Sequence, residues 1–317
     1  MTTMIALVGD QPLPNFIAVK HFGYDKVLLV YTEERETQYK YLRAVLEKKR
    51  GVVVKEVVTE AHYVNKIAQT VHEELTHLGI GATEKLVFNL TGGTKAMAMA
   101  AFHVAQWRDA EMLYLASQVV RDNTKVRAYQ SKWHNQQIKP GGQISIPDCI
   151  ELEDVFDLHL GMGNWEECGP SKDINGGGPF ESLLKDTLCR YQKDVNEVKA
   201  GVKTLNRQVD MDLVVRLGNH YGIIEAKSGG KGAGMKGLQQ LSTSKSLMGT
   251  YSRAFHVITV AASSEHKELR EALGFTSISL QSYDEHTNTI SPDDEEKLLT
   301  EIKDAFLELP GAVSEYV

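Results

Sequence analysis

Four charged residues in the second half of the chain have the spacing of a catalytic cluster. Asp210 and Asp212 are two residues apart, and so are Glu225 and Lys227 on the segment that follows. Because successive side chains of a strand point to opposite faces, each pair lies on one face of its strand. If the two strands pair, three carboxylates and one amine converge. Burying them together is costly unless a cation offsets the repulsion between the carboxylates.

The donor set indicates which cation this is. Carboxylate oxygens, with no helpful histidine or cysteine beside them, are typical ligands of Mg²⁺ or Mn²⁺. Such an ion polarises a scissile phosphate, lowers the pKa of a bound water and stabilises developing negative charge, while Lys227 orients or activates that water. The cluster therefore predicts phosphodiester hydrolysis that depends on a divalent metal.

A β-hairpin is the element that must position these residues. The segment RQVDMDLVVRLGNHYGIIEAKSG has alternating or apolar arms, with Gly218 and Asn219 as the turn between them. The helical pattern FESLLKDTLCRY precedes the hairpin and carries Glu181 in its first turn. The helix dipole favours an acidic residue there without any function, so both interpretations of Glu181 stay open.

An aspartate and an ExK motif on paired strands resemble the PD-(D/E)xK nuclease fold. The resemblance implies that Asp212, Glu225 and Glu181 bind the metal. It also implies a catalytic set of Asp212, Glu225, Lys227, Asp210 and Glu181. The local pattern reads Val-Asp-Met-Asp where the family has Asn-Glu-Leu-Asp, so the aspartate that binds metal most directly stays undetermined.

The glycine-rich segment after the ExK motif lacks the spacing of a phosphate-binding P-loop. Its Lys231 and Lys236 are expected to meet the backbone phosphates of a nucleic acid, and Gln239 is expected to line the groove. The alternative is that these lysines are simply solvated.

Charge is unevenly distributed along the chain. The formal net charge is −7 at pH 7, yet residues 146–175 hold eight acidic side chains and one basic one, and residues 176–256 hold twelve basic and seven acidic ones. The basic segment is suited to face phosphates, although a chance excess spread around a solvated surface would give the same count.

Residues 1–117 predict a doubly wound parallel sheet. Apolar runs such as MIALV, KVLLVY and KLVFNL alternate with longer helical patterns such as ETQYKYLRAVLEKK. Residues 125–146 predict a further strand or hairpin. In such a sheet, ligands bind beyond the carboxyl ends of the strands, where helix N-termini present free N–H groups.

Two loops fit that place, one after the first strand and one after the fourth. Gly92 and Gly93 let backbone amides approach a ligand, and Lys95 adds positive charge beside a helix dipole. This pattern predicts an anionic ligand, against the plainer alternative of a turn with a helix N-cap. The expected ligand-binding residues are Gly9, Gln11, Pro12, Leu13, Pro14, Asn15, Thr32, Thr91, Gly92, Gly93, Thr94 and Lys95.

The motifs NLTGGTKAMA and GDQPLPNFIA, each after a strand, resemble those of the CARF domain of CRISPR-associated effectors. The similarity covers roughly residues 1–140. It implies a cyclic oligoadenylate as activator, with cyclic tetra-adenylate favoured and cyclic hexa-adenylate as the other candidate. It also implies a homodimer, in which the same residues of both protomers bind the cyclic oligoadenylate across a two-fold axis.

Length and pattern together predict two α/β domains. We expect a Rossmann-like CARF domain with a parallel sheet at 1–145, an acidic and glycine-rich linker at 146–178, and a PD-(D/E)xK restriction-endonuclease-like α/β domain at 179–317. Three scattered cysteines, no targeting signal and no long apolar stretch predict a cytoplasmic protein that does not bind membranes.

The two halves together resemble the cyclic-oligoadenylate-activated nucleases of type III CRISPR defence, which implies cutting of DNA, RNA or both. Three alternatives stay open. A ring nuclease would cleave the cyclic oligoadenylate itself, and a CARF-type regulator would bind DNA without cutting it. A restriction-type nuclease would use its N-terminal domain only for dimerisation.

Overall fold

The chain folds into two compact units in the computed structural model. The first unit takes in residues 1–120, 125–149 and 313–317, and the second takes in residues 121–124 and 150–312. No helix within the described ranges is long and apolar enough to cross a membrane. The structure describes residues 2–81, 84–120, 123–172, 177–191, 193–206, 208–229, 235–249, 251–261, 272–308 and 313–314.

One large sheet organises the first unit. Its strands are β1 (Thr2–Leu7), β2 (Lys26–Thr32), β3 (Val53–Thr59), β4 (Lys85–Asn89), β5 (Glu111–Val120), β6 (Asn123–His134) and β7 (Gln137–Ile146). Within the described residues their order is β3-β2-β1-β4-β5-β6-β7, and a two-residue strand, Val313–Ser314, pairs with β5. β1 to β5 pair in parallel, whereas β6 and β7 form an antiparallel hairpin. These findings confirm the predicted parallel sheet and the predicted hairpin.

Helices connect the parallel strands of the first unit. They are α1 (Leu13–Phe22), α2 (Glu36–Arg50), α3 (Val64–His77) and α4 (Lys95–Trp107), with a short 3-10 turn at Glu33–Arg35. Apolar side chains of α3 and α4 join strand residues such as Leu7 and Phe88 in one core. β1 and β2 bury nearly every side chain, which is why both strands appear in the sequence as continuous apolar runs.

A mixed sheet forms the centre of the second unit. Its strands are β8 (Trp165–Glu167), β9 (Glu197–Thr204), β10 (Asp210–Leu217), β11 (His220–Lys227), β12 (Arg253–Ile258) and β13 (Thr276–Ser279). Over the described residues the order is β13-β12-β11-β10-β9-β8. Pairing is antiparallel from β8 to β11 and parallel from β11 to β13. The helices are α5 (Leu152–His159), α6 (Gly178–Arg190), α7 (Met235–Met248) and α8 (Pro292–Leu307).

The structure differs from the linker that we expected at 146–178. This stretch contains α5 and β8, both part of the second unit. Leu152 and Phe156 are fully buried, and the backbone N–H of Leu152 donates to Glu197 Oε2 at 2.9 Å. Burial of the apolar face of α5 therefore holds this segment in the fold, although the acidic residues around it favour contact with water. The expected glycine-rich boundary falls partly on residues 175–176, outside the described residues.

Candidate functional site

The β10–β11 hairpin brings three of the predicted catalytic residues together. Leu213 pairs with Ile224 in antiparallel register, so the next step along both strands sets Asp212 beside Glu225. The backbone N–H of Ala226 donates to Asp212 Oδ2 at 2.8 Å, which fixes the aspartate against the partner strand. The predicted hairpin is therefore confirmed, and it performs the positioning expected of it.

The ammonium of Lys227 lies between the two carboxylates. Its Nζ is 3.1 Å from Asp212 Oδ2 and 2.5 Å from Glu225 Oε1. The exposed side-chain fraction is 1% for Glu225, 12% for Asp212 and 20% for Lys227. The group is therefore a buried cluster rather than a surface ion pair, and its charges interact with little screening by water.

Burial shifts the protonation equilibria of all three groups. Desolvation, and then the negative charge of Asp212, raise the pKa of Glu225 to about 8. Desolvation also raises the pKa of Asp212, although Lys227 opposes that shift. For Lys227, burial alone would lower the pKa, but the two carboxylates raise it above its ordinary value. The raised carboxyl pKa values indicate that one ammonium does not fully stabilise two buried carboxylates.

Glu181, in the first turn of α6, interacts electrostatically with this cluster. The residue is 6% exposed, and its Oε2 accepts a hydrogen bond from the backbone N–H of Ser171 at 2.8 Å. Burial, and then the charge of Asp212, raise its pKa. A glutamate favoured only by the helix dipole has no reason to be buried near another carboxylate. The helix dipole alone therefore does not explain the burial of this glutamate.

The structure distinguishes the two aspartates of β10. The Asp210 side chain is 47% exposed, and its Oδ2 lies 2.9 Å from Nζ of Lys203 on β9. Asp212 is instead buried against Lys227. Asp210 therefore stands at the rim of the cluster, whereas Asp212 is part of it.

The donor chemistry of the cluster suits a hard divalent cation. Asp212, Glu225 and Glu181 offer only carboxylate oxygens, and burial is the largest cause that raises the pKa of each. In the described part of the chain, no three histidine, cysteine or acidic side chains are grouped so that they could hold an ion as they stand. Metal binding would therefore require the carboxylates of Asp212 and Glu225 to turn from the Lys227 ammonium toward the ion.

The predicted nucleic-acid contacts are only partly described. Lys231 lies outside the described residues. Lys236 and Gln239 are exposed near the start of α7. Exposure is what a phosphate contact requires, and a solvated lysine is exposed as well.

Glycines allow the two predicted ligand loops of the first unit to touch. A Cβ on Gly92 would lie 2.1 Å from the carbonyl oxygen of Leu7, and one on Gly9 would lie 2.9 Å from the backbone nitrogen of Gly93. Gly93 also has a φ of 73°, which side-chain-bearing residues rarely adopt. The loops after β1 and β4 therefore form one continuous surface at the carboxyl edge of the sheet.

A chain of buried hydrogen bonds fixes the same two loops to each other. Asn15 Nδ2 donates to the Leu7 carbonyl at 2.9 Å, and Asn89 Nδ2 donates to Asn15 Oδ1 at 2.8 Å. The Thr91 hydroxyl donates to Asn89 Oδ1 at 2.7 Å and accepts from the backbone N–H of Leu115 at 2.8 Å. Asn89 is fully buried, and the sequence analysis missed it because its partner lies 74 positions away.

The other predicted ligand residues divide into buried and exposed ones. The Thr94 hydroxyl caps α4 by accepting from the backbone N–H of Met97 at 3.1 Å, and it donates to the Ala61 carbonyl at 2.9 Å.

Lys95 follows Thr94 and is exposed, whereas Thr32 is buried at the end of β2. At the entry to α1, Pro12, Leu13 and Asn15 are buried, and Gln11 and Pro14 are half-buried.

Tyr114 is an aromatic residue at this edge that the sequence analysis did not select. Its neighbours on β5 hold the loop, since Leu90 N–H donates to the Leu113 carbonyl at 2.8 Å and Leu115 N–H donates to Thr91. Tyr114 itself is 51% exposed. A half-exposed ring beside a glycine loop is a platform on which a flat base can stack.

One known protein family matches the first unit. Residues 3–148 match the family described as Card1 CARF domain. The matched range contains both predicted ligand loops. No curated protein matches the chain.

Solved structures share the fold of the whole chain. VC1899 from Vibrio cholerae has a TM-score of 0.72 at 13% identity, covering 98% of this chain and 99% of that one. Can2 from Sulfobacillus thermosulfidooxidans, in complex with cyclic tetra-adenylate, has a TM-score of 0.68 at 13% identity, covering 96% and 99%. A type III CRISPR defence DNA nuclease activated by cyclic oligoadenylate has a TM-score of 0.52 at 18% identity, covering 81% of this chain and 45% of that one. At these identities the similarity shows the fold alone, which is a Rossmann-like domain with a mostly parallel sheet and a C-terminal α/β domain.

Proposed function

We propose that this protein, whose residues 3–148 match the Card1 CARF domain family, is a metal-dependent nuclease switched on by a cyclic oligoadenylate. The observation that carries the proposal is the buried cluster of Asp212, Glu225 and Lys227 in the second unit. A CARF domain by itself is compatible with a nuclease, a ring nuclease or a DNA-binding regulator. Buried carboxylates around a lysine are the chemistry that phosphodiester hydrolysis needs. Support also comes from two proteins of similar fold, one bound to cyclic tetra-adenylate and one described as a DNA nuclease.

Each residue of the cluster has a task in this proposal. Asp212, Glu225 and Glu181 would hold a Mg²⁺ or Mn²⁺ ion, which supplies Lewis-acid activation of the scissile phosphate and of a water. Lys227, which contacts both carboxylates in the absence of metal, would orient the attacking water and stabilise negative charge on the phosphate once they turn toward the ion. The burial of Glu225 keeps bulk water away and strengthens these electrostatic interactions.

The loops of the first unit supply the proposed activator site. The backbone of Gly92 and Gly93, the N-terminus of α4 and the exposed Lys95 favour an anionic ligand. We favour cyclic tetra-adenylate, with cyclic hexa-adenylate as the alternative. In a homodimer, a second copy would present the same residues to a symmetric ring. Ligand binding would then select the arrangement of protomers in which the nuclease units are active.

Replacing Tyr114 by alanine should weaken activator binding, because an adenine base would lose its stacking platform. We expect the Kd for cyclic tetra-adenylate to rise about tenfold, which is the scale of one base–aromatic stack. Tyr114→Phe keeps the ring and should keep the affinity. Isothermal titration calorimetry without metal measures both variants, and an unchanged Kd for Tyr114→Ala would exclude this role.

A cutting assay tests the proposed function as a whole. Plasmid DNA, single-stranded DNA and RNA are each incubated with Mn²⁺ or Mg²⁺, with and without cyclic tetra- or hexa-adenylate. Cutting that requires ligand would support the proposal and identify activator and substrate. Absence of cutting in every combination, with ligand and metal binding verified, would contradict it. Mass analysis of the ligand afterwards separates this activity from degradation of the activator itself.

A further inference from the structure

Lys203 and Asp210 form an exposed ion pair beside the catalytic cluster. They face each other in the antiparallel register of β9 and β10, with Nζ and Oδ2 2.9 Å apart. The exposed side-chain fractions are 37% for Lys203 and 47% for Asp210. Pairs this exposed are weakly held, because water competes for both charges. Another charged group can therefore replace either partner of this ion pair at a small cost in free energy.

The pair lies on the face of the sheet that carries the cluster. Asp210 and Asp212 are two residues apart on β10, so their side chains share that face, and a cross-strand partner such as Lys203 shares it as well. Lys203 is also close enough to Glu181 to interact with its charge. The ammonium of Lys203 therefore stands at the edge of the proposed catalytic centre.

β9 carries no side chain at the level of Asp212. The register runs from Met211–Val202 to Leu213–Ala200, which leaves Gly201 opposite Asp212. A Cβ at Gly201 would lie 1.9 Å from the Gly169 carbonyl oxygen, so only glycine fits. The Gly169 backbone fills this position, so no β9 side chain stands between Lys203 and the cluster.

We propose that Lys203 binds a backbone phosphate of the nucleic acid and that Asp210 is its counter-ion when no substrate is bound. This inference rests on the proposed nuclease function. A phosphate on either side of the scissile bond offers Lys203 a charged acceptor that can replace the Asp210 carboxylate. Asp210 is then a positioning residue and not a metal ligand.

A double-mutant cycle in an uncleaving background tests the pairing. The full chain carrying Glu225→Gln is titrated, with activator present, into labelled DNA and RNA oligonucleotides, and fluorescence anisotropy is followed at several salt concentrations. Lys203→Gln should weaken binding about tenfold and reduce the salt slope by about 1, as expected for one lost phosphate contact. Asp210→Asn should tighten binding severalfold, because Lys203 becomes free.

The variant that combines Lys203→Gln with Asp210→Asn shows whether Asp210 acts through Lys203. If Asp210 acts through Lys203, Asp210→Asn has no effect once Lys203 is Gln. If Asp210→Asn tightens binding equally in both backgrounds, Asp210 merely repels phosphate and the proposed pairing is wrong. Loss of all binding in the Glu225→Gln protein itself would instead contradict the nuclease proposal.

A matched control is available elsewhere in the second unit. Lys303 and Asp194 form an ion pair with a 2.8 Å separation and exposed fractions of 39% and 37%. Lys303→Gln removes the same charge from a pair that does not adjoin the cluster residues. Nucleic-acid binding should be unchanged in this variant. A loss equal to that of Lys203→Gln would show only a net-charge effect and would overturn the assignment.

Discussion

Glu225→Gln is expected to abolish activator-dependent cutting while leaving activator binding intact. The substitution keeps the size of a side chain that is 1% exposed, but it removes the carboxylate that contacts Lys227 and would bind metal. We expect the initial rate to fall by about 1,000-fold, the scale seen when a preorganised electrostatic group is removed from an active site. Plasmid cutting under saturating activator and Mn²⁺ measures the rate.

Asp194→Asn is the matched control for this substitution, because it removes one carboxylate charge from an exposed ion pair with Lys303 instead of from the cluster. It should retain cutting within about tenfold of wild type, since its carboxylate is assigned no part in the electrostatic stabilisation. The Kd for cyclic tetra-adenylate should be the same for both variants and wild type. Residual cutting by Glu225→Gln close to the wild-type rate would contradict its catalytic role, and joint loss of cutting and ligand binding would contradict two separable sites.

Gly92→Ala is expected to have the largest effect on activation. Its Cβ would lie 2.1 Å from the Leu7 carbonyl oxygen, so the loop after β4 must move away from the loop after β1. Overpacking of this kind costs about 1–3 kcal/mol. If this free energy is lost from activator binding, the Kd for the activator rises about 5- to 150-fold. Calorimetric titration and the activator concentration for half-maximal cutting should shift together.

Gly142→Ala is the control for Gly92→Ala. Gly142 lies on β7 in the same unit, and a Cβ there would meet no atom within 4 Å. This variant should bind and respond to the activator as wild type does. A wild-type response from Gly92→Ala would mean that the close contact of the loops is not needed. Equal melting temperatures for the two variants would show that reduced binding is not unfolding.

Periodicity was sufficient to predict the elements that carry the catalytic residues. Alternation around Asp212 and Glu225 specified which side chains share a face, and the turn at 218–219 specified that the strands pair. Apolar runs in β1 and β2 specified a sheet covered on both faces. Such patterns are local, so the sequence alone contains them.

Features that depend on distant partners were not predictable in this way. Asp210 and Asp212 point to the same face of β10, and the neighbouring strands separate their environments. Lys203 of β9 pairs with Asp210, whereas Asp212 has Gly201 on one side and Lys227 of β11 on the other. Asn89 acquires its role from Asn15 across the sheet. α5 was missed because the acidic residues around it suggested a solvated linker, and its eight residues are too few for a strong helical period.

Coupling between ligand and cutting is the central claim, and one titration tests it most directly. Cyclic tetra-adenylate is titrated into wild-type protein with Mn²⁺ and plasmid, and in parallel into the Glu225→Gln protein to obtain the binding curve. We predict no cutting without activator and half-maximal cutting close to the measured Kd. Cutting at full rate without activator, or a cutting rate that stays constant across the binding curve, would contradict activation through the CARF domain.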